Sequence, residues 1–199
     1  MFYDKNTSQN DKGNFMMDSA ERLRRLSRFM KLMILLSGAL FCSAVVYAHW
    51  QIFFDRQGFE QGVRDNTFPR VEMITLSYRA IATLVFLSAI INAVVIAGFA
   101  FAWQLFDSFQ RGEILSSRNG VLLRRVGLTA MIGSICMTVS NGIGILAVTY
   151  DNPSSAGHAV YFDVNVGTII VLLMAGLVVG LGHVMVIATG VEDENRGFV

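Results

Sequence analysis

The stretch SYRAIATLVFLSAIINAVVIAGFAFAW, residues 77–103, decides the fold class of this chain. Its one fully charged residue, Arg79, lies close to its start. A helix with a rise of 1.5 Å per residue needs about 20 apolar residues to cross the hydrocarbon core of a bilayer. Because backbone polar groups inside lipid must be satisfied within the segment, the stretch predicts a membrane-spanning helix rather than a strand.

Three further stretches have the same character. They cover roughly residues 30–54, 126–149 and 165–189, and Lys31 is the one fully charged residue in them. The chain as a whole is 53% hydrophobic and 16% charged, with a mean hydropathy of +0.50. This composition predicts an all-α integral membrane protein with a bundle of four transmembrane helices. The predicted organisation is a segment before the spans (1–28), the transmembrane domain (29–190) and an acidic tail (191–199).

Lysine and arginine are distributed unevenly between the two sides of the predicted spans. Seven lie in the N-terminal segment up to Lys31 at the start of the first span, four lie between the second and third, and Arg196 follows the fourth, whereas the other side carries Arg56, Arg64 and Arg70. Since positively charged loops are retained in the cytoplasm, both termini are expected there. We therefore expect a multi-pass protein of a bacterial cytoplasmic (inner) membrane.

Four ionisable or amide side chains inside the predicted spans are candidates for function, because function is sought first among such residues. They are His49, Asn92, Asn141 and His183. The two histidines suggest a haem site, but they lie near opposite ends of their spans and differ in depth by roughly 15–20 Å at 1.5 Å per residue. They cannot ligate the same iron. The favoured interpretation is hydrogen bonding between helices. The alternative is a solute pathway lined by Asn92, Asn141 and His183.

Small residues recur where helices are expected to touch. Ala89, Ala93 and Ala97 repeat every four residues in the second span, GLVVG at 176–180 lies in the fourth, and the run Asn141-Gly142-Ile143-Gly144 interrupts the third. Such patterns let helices approach closely. They predict a compact bundle within the chain, or equally a contact with a partner helix.

The segment before the first span contains a helix-start pattern. Asp18 precedes Glu21 by three residues, as in a capping box, and apolar residues follow at helical intervals among four arginines. We expect a short amphipathic helix on anionic headgroups that runs into the first span. Residues 1–14 are polar and are expected to be disordered.

The most polar stretch between two spans is FDSFQRGEILSSRNGVLLRRVG, residues 106–127. Asp107 and Arg111 are four residues apart and should pair on one helical face. Gly112 is suited to end that helix, and Ser116 or Ser117 to cap the next one. The stretch predicts a tight helical hairpin.

This hairpin is similar to the cytoplasmic hairpin of the YoaS-like family of four-span bacterial membrane proteins. The basic helix RLRRLSRFMKLM (22–33) and the ending ATGVEDENRGFV (188–199) resemble that family too. The resemblance implies a protein of uncharacterised biochemistry, often encoded beside a small helix-turn-helix regulator. It supplies no catalytic or binding residues to carry over.

Enzymatic function is not expected, because the sequence shows no nucleophile and base in a known arrangement, no metal-spaced His/Cys set and no phosphate-binding loop. We expect no cofactor. We expect the protein to be a regulatory or accessory subunit that docks through the hairpin and the tail. Its partners would be the bilayer and another membrane or cytoplasmic protein, or a second copy, but not nucleic acid. A small-solute transporter or channel is one alternative, and a haem-binding redox subunit another. The candidate interaction residues are Arg111, Gly112, Glu113, Asn119, Arg124, Arg125, Glu192, Glu194 and Asn195.

Overall fold

A computed structural model describes residues 5–67, 76–152, 162 and 164–196, with side chains for 21–22, 24–62, 76–152, 162 and 164–192. This part of the chain is helical. The helices are α1 (Lys5–Phe54), α2 (Arg56–Thr67), α3 (Tyr78–Gln110), α4 (Ser117–Thr149) and α5 (Val166–Arg196).

The four predicted spans are confirmed as helices of membrane-spanning length and apolarity. The qualifying stretches are Arg24–Phe54, Tyr78–Gln110, Ser117–Thr149 and Val166–Glu192. Their large apolar side chains are extensively exposed, as in Leu40 (73%) and Leu173 (64%), which suits a surface that faces lipid rather than water. The chain is therefore organised as a multi-pass membrane protein.

Helix α1 is longer than expected. It is continuous from Lys5, so the predictions of a disordered segment over 1–14 and of a helix start near Asp18 are wrong from Lys5 onward. Once a helix exists, each added residue gains a hydrogen bond without a new nucleation step, so polar residues can prolong it. The side chain of Asp18 lies outside the described residues. α5 similarly continues through the acidic tail to Arg196.

Helix α2 lies where the sequence suggested only a loop. Asp55 begins it, because its Oδ1 accepts a hydrogen bond from the Gly58 amide at 3.0 Å. An aspartate in this position satisfies one of the free amide groups of the first turn. α2 contacts α1 and no other helix of the described chain.

The spanning helices pack in chain order as an open row. Cα atoms within 8 Å join α1 to α3, α3 to α4 and α4 to α5, and none joins α1 to α4 or α5, or α3 to α5, within the described ranges. The accessible surface is 14134 Å², against ~9,300 Å² for a compact soluble protein of this mass. The packing is thus more open than the expected compact bundle, and α1 and α5 are edge helices.

The α4–α5 contact depends on glycines spaced seven residues apart. A Cβ atom on Gly120 would lie 2.7 Å from Val186 Cγ2, and one on Gly127 would lie 2.7 Å from Val179 Cγ2. On α5, a Cβ atom on Gly182 would lie 2.7 Å from the backbone nitrogen of Arg124. The two backbones therefore approach more closely than any larger residue would permit.

The small residues chosen from sequence lie elsewhere. Gly176 and Gly180 have nothing within 4 Å of a built Cβ, and Ala89 and Ala93 are exposed while Ala97 is half-buried. The expected close contact within the chain is therefore wrong at Gly176, Gly180, Ala89 and Ala93, and contact with a partner helix stays a prediction. In lipid, an apolar face has no intrinsic preference for protein over solvent, so spacing alone does not choose between faces. The run 141–144 does not interrupt α4, which is continuous to Thr149.

Candidate functional site

The hairpin between α3 and α4 is built by local caps, as predicted. Arg111 is the C-cap of α3, Gly112 follows with a φ of 85°, and the Arg111 side chain lies 3.0 Å from Asp107 Oδ2. Ser116 caps α4, since its Oγ accepts from the Asn119 amide at 3.2 Å. The turn therefore has a defined backbone path. Gly112 adopts its left-handed conformation without steric cost because glycine has no Cβ atom.

Asn119 is the buried centre of the hairpin, with no exposed surface. Its Nδ2 donates to the carbonyl oxygen of Glu113 and, at 3.4 Å, to that of Ile114. Ser108, also fully buried, donates to Glu113 Oε2 at 2.9 Å. Asn119 Oδ1 is buried and has no hydrogen-bond partner among the described residues. Asn119 therefore acts on the hairpin's outer surface indirectly, by holding the turn.

A second polar cluster joins α1 to the end of α3. Lys31 Nζ donates to Asp107 Oδ1 at 2.5 Å and to Gln110 Oε1 at 3.1 Å. The ammonium also lies 4.7 Å from the ring centre of Trp103, a distance at which the ring face attracts a cation. The lysine side chain is only 13% exposed. Sequence reasoning noted Lys31 as a charge near a span end, and Asp107 as a partner of Arg111, but did not pair them.

The remaining interaction candidates lie at the same end of the molecule, which we call the hairpin end. Arg124 and Arg125 are exposed on α4, and the Arg125 guanidinium lies 5.5 Å from the ring centre of Phe101. Glu192 is exposed on α5. Glu194 and Asn195 belong to the same helix, but their side chains lie outside the described residues.

Contacts between helices bring these candidates together. Gly120 meets Gly182 and Val186, so the last turns of α5 extend past the hairpin. The contacts of Lys31 with Asp107 and Gln110 place the basic stretch of α1 beside the end of α3, where the hairpin begins. The hairpin, the α5 ending and the start of the α1 span therefore share one end.

The intramembrane polar residues do not share one site. His49 is the interhelical group expected, with Nε2 3.3 Å from Ser88 Oγ on α3 and Nδ1 2.8 Å from Val45 O. His183 is exposed on α5, a helix that does not contact α1, so the two histidines belong to different surfaces. Within the described residues, no group of three or more His, Cys, Asp or Glu side chains is placed to hold a metal ion.

A groove of about 560 Å³ lies over one face of α4, between α3 and the first turns of α5. Asn141 lines this groove, whereas Asn92 and His183 do not. Sequence reasoning did not find it, because it depends on how three helices are arranged. Its signal in the sequence is a run of small residues in α4 that includes Ala130, Gly133 and Ser134.

Comparison with known proteins supplies a family but no described activity. Neither the curated proteins nor the solved structures include a match to this chain. Residues 62–196 match a family described as "Protein of unknown function (DUF2975)". This range contains the hairpin, the groove and the α5 ending, but not α1; the YoaS-like name stays a prediction. The chain is a member of the DUF2975 family of uncharacterised proteins.

Proposed function

We propose that this protein is a non-enzymatic accessory or regulatory subunit of a bacterial cytoplasmic membrane, with the hairpin end in the cytoplasm. The observation that carries the proposal is the contrast between the interior and the surface of the hairpin. Its interior is held by Asn119, Ser108 and the two helix caps. Its surface exposes four arginines, Arg111, Arg118, Arg124 and Arg125.

A surface held in this way suits protein recognition. Residues 106–127 carry four arginines and two carboxylates. Positive charge on a preorganised turn favours an acidic partner, where complementary charge sets specificity and encounter rate more than affinity. Preorganisation also reduces the ordering cost of binding. The open row supports the same proposal, since edge helices α1 and α5 each leave most of their surface available to other membrane segments.

Arg118 and Arg124 are the best positions for a test. Arg111 pairs with Asp107 and Arg125 packs on Phe101, so changing either would also disturb the fold. Arg118→Gln combined with Arg124→Gln removes two exposed charges. The matched control is Arg56→Gln with Arg79→Gln, two exposed arginines at the opposite end.

The experiment is chemical cross-linking in native membranes, followed by purification in mild detergent and mass spectrometry. We expect a partner held by wild type and by the control to be lost at least fivefold from the hairpin variant. Equal recovery by all three proteins would refute docking through the hairpin. Recovery of no partner, together with solute movement in liposomes, would favour the transporter alternative, and a Soret band in purified protein would favour the haem alternative.

A further inference from the structure

The groove over α4 exists because its floor is made of small side chains. Ala130, Gly133 and Ser134 lie on the floor, and the α3 residues Ile91 to Phe99 form one wall. The floor runs from Val126 to Asn141, about 22 Å at 1.5 Å per residue. All three helices have membrane-spanning length and apolarity here, so lipid hydrocarbon is the expected solvent along the groove.

The groove is apolar along most of its length. Among the residues that the structure describes, no Asp, Glu, Lys or Arg lines it. The hydroxyl of Thr129 donates to the carbonyl oxygens of Arg125 and Val126 at 3.0 and 2.9 Å, and that of Thr138 donates to Ser134 O at 3.2 Å. Because these hydroxyl protons are used within α4, the two threonines add little polarity to the groove.

One end of the groove is different. Asn141 and the start of α5 both line this end, where Asn165 Oδ1 accepts a hydrogen bond from the Thr168 backbone amide at 2.9 Å. The Asn141 side chain is exposed and makes no hydrogen bond to a described residue. An amide in this position offers two N–H donors to a ligand. The groove therefore joins an apolar channel to a neutral hydrogen-bonding end.

We propose that the groove binds one acyl chain of a membrane phospholipid, with the ester carbonyl of that lipid accepting a hydrogen bond from Asn141. One leaflet of hydrocarbon is about 15 Å thick, half of the ~30 Å core, so a chain entering at the Asn141 end fits within the 22 Å floor. Since no charged residue of the described chain lines the groove, we expect the site to recognise the chain and ester region and to be indifferent to headgroup charge. The inference is independent of docking through the hairpin.

The test uses the full-length protein in vesicles of phosphatidylcholine or phosphatidylglycerol that carry a photoactivatable diazirine in one acyl chain. Adducts are mapped by mass spectrometry after illumination. We expect the α4 residues of the groove to be labelled several-fold more than exposed lipid-facing positions such as Leu40, and equally with either headgroup. Labelling no greater than at Leu40, or labelling that requires the anionic headgroup, would overturn the proposal.

Two filling variants test the geometry. Ala130→Leu places a large side chain on the floor, and Gly133→Ala is a smaller filling whose Cβ would meet Val94 Cγ1 at an ordinary 3.5 Å. We expect at least a fivefold and about a twofold loss of groove labelling respectively. Ala93→Leu, on an exposed face of α3 outside the groove, is the matched control and should label as wild type does. Unchanged labelling in Ala130→Leu, or adducts between two protein copies in place of lipid adducts, would contradict the assignment.

Asn141→Leu tests the polar end. Because the ester region loses its hydrogen bond, we expect the label to spread along α4 instead of concentrating at one depth. An unchanged depth profile would overturn the role given to Asn141. The unfolding midpoint of each variant in detergent, compared with wild type, separates loss of the site from loss of the fold.

Discussion

Gly120 and Gly182 lie against each other across the α4–α5 interface. A Cβ atom on Gly120 would stand 2.9 Å from the carbonyl oxygen of Gly182, and one on Gly182 would stand 2.7 Å from that of Gly120. Each distance is shorter than a Cβ atom tolerates next to a backbone oxygen. The close contact of these two helices therefore requires glycine at both positions.

Gly182→Ala should consequently destabilise the protein. Overpacking of a close contact costs typically 1–3 kcal/mol, and here the obstruction is backbone that cannot rotate away. Gly180→Ala is the control, because nothing lies within 4 Å of its Cβ and alanine favours helix by up to about 1 kcal/mol. The free energy of unfolding of both variants is measured by reversible unfolding in mixed micelles with increasing SDS. Equal stability of the two variants would show that the contact is looser than described.

Asn119 should be the least replaceable residue of the hairpin. Asn119→Ala removes its bonds to the Glu113 and Ile114 carbonyls and should cost about 1–3 kcal/mol. Asn119→Asp should cost more, because a carboxylate has no N–H to donate and would face carbonyl oxygens. Ser117→Ala, at an exposed neighbouring position, is the control. Hydrogen exchange of the hairpin amides should accelerate in the first two variants and not in the third.

Gly112 adopts a backbone conformation that an L side chain disfavours. Its φ of 85° predicts that Gly112→Ala destabilises the hairpin by about 1–3 kcal/mol. Gly112→Asn should lose less, since asparagine visits the left-handed region more readily. Trypsin cleavage at Arg118 reports opening of the turn. Its rate should be highest in Gly112→Ala, lower in Gly112→Asn and lowest in wild type. Identical rates would argue against the left-handed turn.

The Lys31–Asp107 pair should couple α1 to α3. A double-mutant cycle with Lys31→Met and Asp107→Asn is expected to give a larger coupling energy than a fully exposed pair, because the Lys31 side chain is only 13% exposed, although solvent screens Asp107 at 40% exposure. The Arg25–Glu21 pair is a control of the same charge type, with 71% and 63% exposure and a predicted coupling of about 0.5 kcal/mol or less. SDS unfolding supplies the free energies. A coupling no greater than that of the control would mean that the pair does not stabilise the α1–α3 contact.

The expected topology can be tested by labelling single cysteines in intact cells. The free cysteines Cys42 and Cys136 are first changed to alanine. A membrane-impermeant maleimide should then label Gln57→Cys on α2 and should label Ser117→Cys at the hairpin only after the cells are opened. Labelling of position 117 in sealed cells would reverse the orientation expected from the positive-inside rule.

Local chemistry determined the parts of this site that sequence predicted correctly. The Asp107–Arg111 pair, the Ser116 cap and the glycine at 112 involve residues within four positions of each other, so backbone geometry alone brings them together. The Lys31–Asp107 pair joins residues 76 positions apart. No spacing rule could have connected them.

Membrane spanning itself was determined by the sequence, since about 20 apolar residues must form a helix in lipid whatever their neighbours are. Tertiary structure alone decided which faces meet. Gly120 and Gly182 are in contact while Gly176 and Gly180 face outward, although all four are glycines in apolar helices. Hydrocarbon solvates an apolar face as well as another helix does, so the choice depends on how the backbones and side chains of two whole helices fit together. The groove over α4 has the same origin, because it is the space left where α3 and α5 each pack on α4 but not on each other.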